Sequence, residues 1–331
     1  MKRNAFLFFL VVFAVGFLAF VPASFFQKSV NTIIIDPGHG GIDPGAKGSY
    51  STEAQICLEI SLKLGKMLQK EIPDLKVLYT RTTNVMAGNK PTKNEGLRYR
   101  ADFANQSGAD LFIAIHCNSA PSIRHRTPNG YRWVKRKGKK VKQTIYKTYY
   151  TPNPAHGTET FVWAVDRNDA KGEVIRTEDM YGESDSTIVA PDENDPVIKA
   201  LRLLYTRKFF KNSVTLADFV EKEFIAGGRF SRGVKQRNEA GIWVLQATGM
   251  PSILVETGFI SDKDEENYLN SDKGQEEICI SITNAVKNYI DWLEKLKNGN
   301  TQNNDSKKPV SRDPVKTAAV LNRNTVKTSN K

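Results

Sequence analysis

Three short apolar runs, each breaking off at a residue that can bind a metal or carry a proton, constrain this chain more than any other feature. Thr32-Ile33-Ile34-Ile35 leads into Asp36-Pro37-Gly38-His39-Gly40-Gly41, Leu111-Phe112-Ile113-Ala114-Ile115 ends at His116, and Ser252-Ile253-Leu254-Val255 ends at Glu256. Short β-branched runs bounded by turn residues read as buried strands. Longer segments with helical spacing lie between them. One carries Ile56, Ile60, Leu64 and Leu68; others cover about 97–106, 196–224 and 274–296. Ser51 or Thr52 is placed to cap the first of these. Residues 76–80, 158–163 and 241–245 supply further strand candidates. Strands alternating with helices predict a layered α/β domain.

The ends of the chain are of a different kind. Lys2 and Arg3 precede an uncharged apolar run over residues 5–23, and Val21-Pro22-Ala23-Ser24 offers small residues for cleavage. That pattern predicts export, with residues 1–24 a signal peptide or, at this length, an uncleaved N-terminal anchor. The catalytic domain is expected over 30–296, with insertions at about 121–156 and 166–228. Residues 297–331 are rich in Asn, Thr, Ser and Lys, a composition that predicts a disordered basic tail. Three scattered cysteines, Cys57, Cys117 and Cys279, cannot complete a disulfide framework. Cys57 and Cys279 read as buried thiols. Cys117 follows His116 directly, and neighbours on a strand point to opposite faces, which argues against it as a further metal ligand.

The net charge of +12 is concentrated. Between Leu111 and Thr158 there is no Asp or Glu, while ten Lys and Arg gather around a predicted hairpin with a Lys-Gly-Lys turn. A basic patch ordinarily suggests nucleic acid, but export removes that partner. An anionic envelope polymer, lipid headgroups or substrate carboxylates fit the location, as does a merely solvated hairpin.

In an open α/β sheet, ligands bind beyond the carboxyl ends of the strands. His39, His116 and Glu256 stand at three such ends, and Glu53 begins the helix after the His39 loop. Two imidazoles and one carboxylate make a catalytic zinc set with an open fourth position. A further carboxylate beside it serves as general base, the role that suits Glu256. His125 and His156, in the basic insertion, read as solvated.

Several ordered motifs resemble one family. Ile33 to Gly41 followed by Asp43-Pro44-Gly45-Ala46, Glu53 before Leu58, Ala114-Ile115-His116-Cys117-Asn118-Ser119-Ala120, Gly157-Thr158-Glu159-Thr160 and Val255-Glu256-Thr257-Gly258-Phe259-Ile260 are similar to the zinc-dependent N-acetylmuramoyl-L-alanine amidases of the AmiA/AmiB/AmiC type, amidase type 3. The resemblance implies a three-layer fold with a mixed, mostly parallel sheet between helices. It implies hydrolysis of the amide joining N-acetylmuramic acid to L-alanine of the peptidoglycan stem, in wall remodelling or daughter-cell separation. It carries over His39, Glu53 and His116 as zinc ligands, Glu256 as catalytic carboxylate and Asn118 as a substrate contact. Cys117 and the basic insertion depart from the family pattern. Cell-separating members carry a helical insertion that covers the zinc until an activator protein displaces it. The insertion over about 166–228, an acidic stretch followed by the amphipathic helix from Pro196, is expected to play that part, with Glu178 or Glu183 as the plug. The other readings are a different envelope zinc peptidase acting on stem peptides, and an inactive peptidoglycan-binding module.

Overall fold

The computed structural model describes residues 28–164, 168–175, 195–237 and 241–305. The predicted signal or anchor segment, Glu178 and Glu183, and the tail beyond 305 lie outside the described residues. Among the described residues no helix is long and apolar enough to cross a membrane.

The elements in chain order are β1 (Thr32–Pro37), α1 (Glu53–Glu71), β2 (Lys76–Tyr79), α2 (Lys93–Gln106), β3 (Leu111–Asn118), β4 (Ile123–Arg136), β5 (Lys139–Thr151), β6 (Thr158–Val162), α3 (Asn168–Glu173), α4 (Pro196–Ala226), β7 (Ser231–Gln236), α5 (Trp243–Gln246), β8 (Ser252–Phe259), α6 (Lys263–Leu269) and α7 (Asp272–Asp305). Six strands form one sheet in the order β2-β1-β3-β8-β6-β7, and β4 and β5 form a separate two-stranded ribbon. β2, β1, β3 and β8 run parallel, and β6 turns the direction by pairing antiparallel to β8. The sheet is thus mixed and mostly parallel, with helices on both faces.

Alternation along the strands sorts the core into two layers. Ile33, Ile35, Leu111, Ile113, Ile115, Ile253 and Val255 join one cluster with α1, α4 and α7. Ile34, Phe112, Ala114, Leu254 and Phe161 join the other, with Ala104, Val244 and Leu245. The period of two that places Phe112 and Ala114 in the second layer also sends His116 to that side. Glu256 follows Leu254 to the same side, and it is the register partner of His116. Parallel pairing therefore fixes two of the functional groups side by side.

Three local expectations change. Residues 241–245 form no strand. An apolar run this short cannot distinguish a strand from a buried helical turn. Here β8 is already flanked by β3 and β6, and Trp243–Gln246 closes as a helix that buries Val244 and Leu245. Thr52 is the N-cap of α1 but caps nothing with its side chain. The first amides donate instead to loop carbonyls, Glu53 N–H to Ala46 (2.9 Å) and Ala54 N–H to Pro44 (3.1 Å), while the Ser51 hydroxyl donates to Glu266. Finally, α4 is a helix of the core layer. Leu216, Ala217, Val220 and Phe224 are fully buried at helical spacing, so the insertion expected over 166–228 cannot extend through them as a detachable unit.

Candidate metal and catalytic site

The site begins with a turn that cannot be made in ordinary backbone. After β1 the chain enters positive φ at His39 (59°), Gly40 (121°) and Gly41 (58°). A side chain in this region is uncommon outside glycine and, at a functional position, is held by its surroundings. Two buried arginines do the holding. Arg81 donates to the carbonyls of Pro37 (3.1 Å), Gly38 (2.7 Å) and Ala54 (2.7 Å). Arg100 donates to Pro37 (2.8 Å) and His39 (2.5 Å) and pairs with the buried Asp36, which also accepts from Thr80. Burial, partly offset by nearby Cys57 and Asp36, pulls Arg81 down to about 10, and the Arg100 charge beside it acts in the same direction. It still carries its proton at neutral pH. Neither arginine stood out in the sequence, where one sat in a turn and the other in a helix.

The turn delivers His39 against Glu53 and His116. His39 Nε2 lies 3.1 Å from Glu53 Oε2, and His116 Nδ1 lies 2.8 Å from Glu53 Oε1. Donor atoms of the three residues all fall within 4.8 Å of one another, and among the described residues they form the one cluster of this kind. His125, His156 and Cys117 are not in it. Cys117 points into the opposite core layer, and only its backbone reaches the site, where its N–H donates to Glu53 Oε1 (3.2 Å). Cys57 and Cys279 are buried free thiols.

Two of the three ligand candidates, His39 and Glu53, have a further partner that fixes their orientation. His39 Nδ1–H donates to Asp43 (2.9 Å), itself bound by Lys93 (3.0 Å), so Nε2 is the nitrogen left facing inward. The Ala46 N–H donates to Glu53 Oε2 (2.8 Å). Two glycines make room. A Cβ on Gly38 would stand 2.5–2.8 Å from three atoms of the His116 ring. A Cβ on Gly45 would stand 2.6 Å from Glu53 Oε2 and 2.7 Å from His39 Cδ2, and Gly45 is itself at φ 66°. Burial works to raise the Glu53 carboxyl, but His116 and His39 outweigh it and hold the group well below the carboxylate range. His39 moves up: burial opposes its charge, while Glu53 and Asp43 favour it. Two imidazoles and an ionised carboxylate at these separations fit a zinc ion with a position left open.

Glu256 is the opposite case. It is buried, and among the described residues its Oε2 has no hydrogen-bond partner. Burial, and then the charge of Glu53, push it up to about 8, against the pull of Arg237. Its antiparallel neighbour Glu159 is held low despite burial, because Lys235 and Arg232 (2.9 Å) both pair with it. Glu159 also accepts from the Asn118 amide, which places Asn118 at the edge of the site. His39, Glu53, His116, Asn118 and Glu256 line a cleft of about 520 Å³, with Lys93, Arg237 and Trp243 on its walls. In the sequence Glu159 stands out only within the Gly157-Thr158-Glu159-Thr160 motif, and nothing local points to the cations around it. β7, which carries Arg232 and Lys235, has little apolar pattern to announce a strand. Glu173 is exposed, and Glu178 and Glu183 lie outside the described residues.

Residues 33–288 match the model of the N-acetylmuramoyl-L-alanine amidase family, amidase type 3. Among curated proteins the chain is similar to AmiC of Escherichia coli, 30% identical over 78% of this chain and 52% of that protein. An uncharacterized cell wall amidase of Bacillus anthracis is 28% identical over 79% of this chain and 36% of its own length. AmiA of Salmonella typhimurium is 26% identical over 81% of this chain and 79% of its own. The chain thus spans only about a third to a half of the first two relatives. Among solved structures, the CwlD amidase of Clostridioides difficile in complex with the GerS lipoprotein shares the fold at 23% identity and a TM-score of 0.51. That match covers 79% of this chain and 98% of that one.

If the cluster holds a metal ion, Gly38→Ala is expected to displace the His116 ring and weaken its binding by about 10–100-fold, the range for disturbed outer-shell support. Chelator competition would measure this, with the melting temperature of the metal-free variant as the folding control. The Glu256 proton sets a second expectation. Its folded value, about 8, lies above the ordinary 4.5, so the native state binds this proton more tightly than the unfolded chain. The associated stability is whole below pH 4.5 and is lost as pH rises through about 8. Metal-free Glu256→Gln should therefore match the wild type in acid and exceed its denaturation midpoint progressively towards pH 8.

Proposed function

We infer the reaction from a premise the sequence match supplies: the chain belongs to the N-acetylmuramoyl-L-alanine amidase family, amidase type 3. The proposed reaction is hydrolysis of the amide between N-acetylmuramic acid and L-alanine of the peptidoglycan stem, by an exported, zinc-dependent enzyme of the cell envelope. The observation that carries this reading is the pairing of a three-residue donor cluster with a buried carboxyl oxygen that has no partner. His39, Glu53 and His116 are the residues that would hold the metal. Zinc held there supplies Lewis acidity, polarising the amide carbonyl and acidifying water.

The protein's own groups do the rest. Glu256 Oε2, free of any protein donor, takes the proton of the attacking water and returns it to the leaving L-alanine nitrogen. Its raised pKa suits a group that must both accept and release a proton near neutrality. Asp43 accepts from His39 Nδ1–H and so orients the ring with Nε2 turned towards Glu53, the nitrogen a metal would take. Asn118, whose amide donates to Glu159, is the proposed substrate contact, a reading supported by its position on the cleft wall, and Lys93 and Arg237 on the same wall suit the carboxylates of a stem peptide.

Regulation is part of the proposal. A role in wall remodelling or daughter-cell separation is supported by the family, and autoinhibition by the acidic stretch before α4, relieved by an activator protein, remains its regulatory counterpart. The burial of Leu216, Val220 and Phe224 keeps the second half of α4 in the core, which favours a lid drawn from residues ahead of it.

Digestion of purified peptidoglycan tests the reaction. The wild type should release stem peptides with a free L-alanine amine, detected by mass analysis. Chelator and Glu256→Gln should each suppress release, the latter by about 10²–10⁴-fold as for a lost general base. Release of a terminal D-alanine instead would identify a carboxypeptidase. Removing residues 176–194 while leaving α4 intact should raise the basal rate on the same substrate; a folded, zinc-loaded deletion with no gain in rate would exclude the lid.

A further inference from the structure

β4 and β5 form an arm that the catalytic machinery does not use. β4 is 14 residues long, so the ribbon extends about 40 Å at strand rise. Its sustained contacts are between its own two strands. Both ends are rooted at the rim of the cleft. Ser119 lines the cleft and the next residue, Ala120, donates to Ser261 (3.0 Å), while Asn153 donates to the carbonyl of Pro121 (3.1 Å).

Cross-strand partners share a face of the ribbon. The register Arg124↔Tyr150, Arg126↔Thr148, Pro128↔Tyr146, Tyr131↔Thr144 and Trp133↔Lys142 puts aromatic rings and cations together on one side. Tyr131, Trp133, Tyr146 and Tyr150 are 61%, 68%, 47% and 63% exposed, an unusual amount of aromatic surface to leave in water. The cations lie against the rings: the Arg126 guanidinium is 4.5 Å from the Tyr146 centroid and the Lys142 ammonium 4.0 Å from that of Tyr131. The stretch from Leu111 to Thr158 holds no acidic residue to neutralise them.

We propose that this face is a binding surface for the polymeric substrate, a peptidoglycan strand running on from the cleft. The inference rests on the amidase reading of the adjoining site. Sugar rings stack on the exposed aromatics, as apolar ring faces do, and the interleaved cations meet the carboxylates of the stem peptides. The root at the cleft rim favours this occupant over a lipid surface, because Ser119, one residue before the arm begins to leave the domain, lines the same cleft as Glu256.

The test uses the full chain carrying Glu256→Gln, so that the polymer survives the assay, and sedimentation with purified peptidoglycan. Arg124→Gln/Arg126→Gln/Lys142→Gln should weaken binding roughly tenfold, equivalent to about 1.4 kcal/mol. Arg124→Lys/Arg126→Lys should retain most of it. Tyr131→Ser/Trp133→Ser should weaken binding further at high salt, where the charges are screened and stacking remains. Unchanged sedimentation of both the charge and the aromatic variants would overturn the proposal. So would loss of binding to phosphatidylglycerol vesicles with peptidoglycan binding intact. These outcomes are independent of the amidase reading, which stands or falls on the products released by the wild type.

Discussion

The turn after β1 leaves the carbonyls of Pro37, Gly38 and His39 pointing into the protein with no strand to receive them, and everything at the site depends on how they are satisfied. Arg81 and Arg100 supply the donors. A hydrogen bond from a charged donor is worth about 1.5–3 kcal/mol, and a buried carbonyl left unmade costs a comparable amount. Arg81 also takes the carbonyl of Ala54 at the start of α1. One guanidinium therefore ties the loop that carries His39 to the helix that carries Glu53. Asp36 balances Arg100 from inside the sheet, so the clamp is anchored in the same strand whose end it shapes.

With that turn fixed, two neighbouring carboxylates diverge. Glu53 accepts from two backbone amides and faces two imidazoles, and it is held ionised. Glu256 is equally buried but has no donor on Oε2, and it is pushed towards keeping its proton. Paired groups driven apart in this way commonly mark a division of labour between ligand and acid–base catalyst. The glycines contribute by absence. Gly38 and Gly45 leave space that a single methyl group would take from His116, His39 and Glu53.

The parts of this arrangement written in local pattern were readable in advance. β1, β3 and β8 are apolar runs of the right length, and His39, His116 and Glu256 could be picked out as their terminal polar residues. The helix with Ile56, Ile60 and Leu64 on one face was equally plain. Pattern failed where the same local signal serves two ends. Residues 243–246 are apolar enough for a strand, yet β8 had no edge free to accept one. Thr52 has the chemistry of a cap, yet loop carbonyls reach the first amides of α1 before its side chain does. α4 sits within a stretch that read as an insertion, and only its contacts reveal it as part of the core.

The sequence by itself determined the strand–helix alternation, the candidate residues His39, Glu53, His116 and Glu256, and the concentration of positive charge over the basic hairpin, because each is a matter of residue type and short-range spacing. The tertiary structure decided which of those residues meet. It set His116 beside Glu256 through parallel register, brought Glu159 next to Glu256 by reversing one strand, and aligned the aromatics and cations of the arm on one face. It also recruited Arg81 and Arg100, whose role could not be read from their neighbours in sequence. Burial, pairing and the pKa divergence between Glu53 and Glu256 are properties of distance between remote segments, and distance of that kind exists only once the sheet has closed.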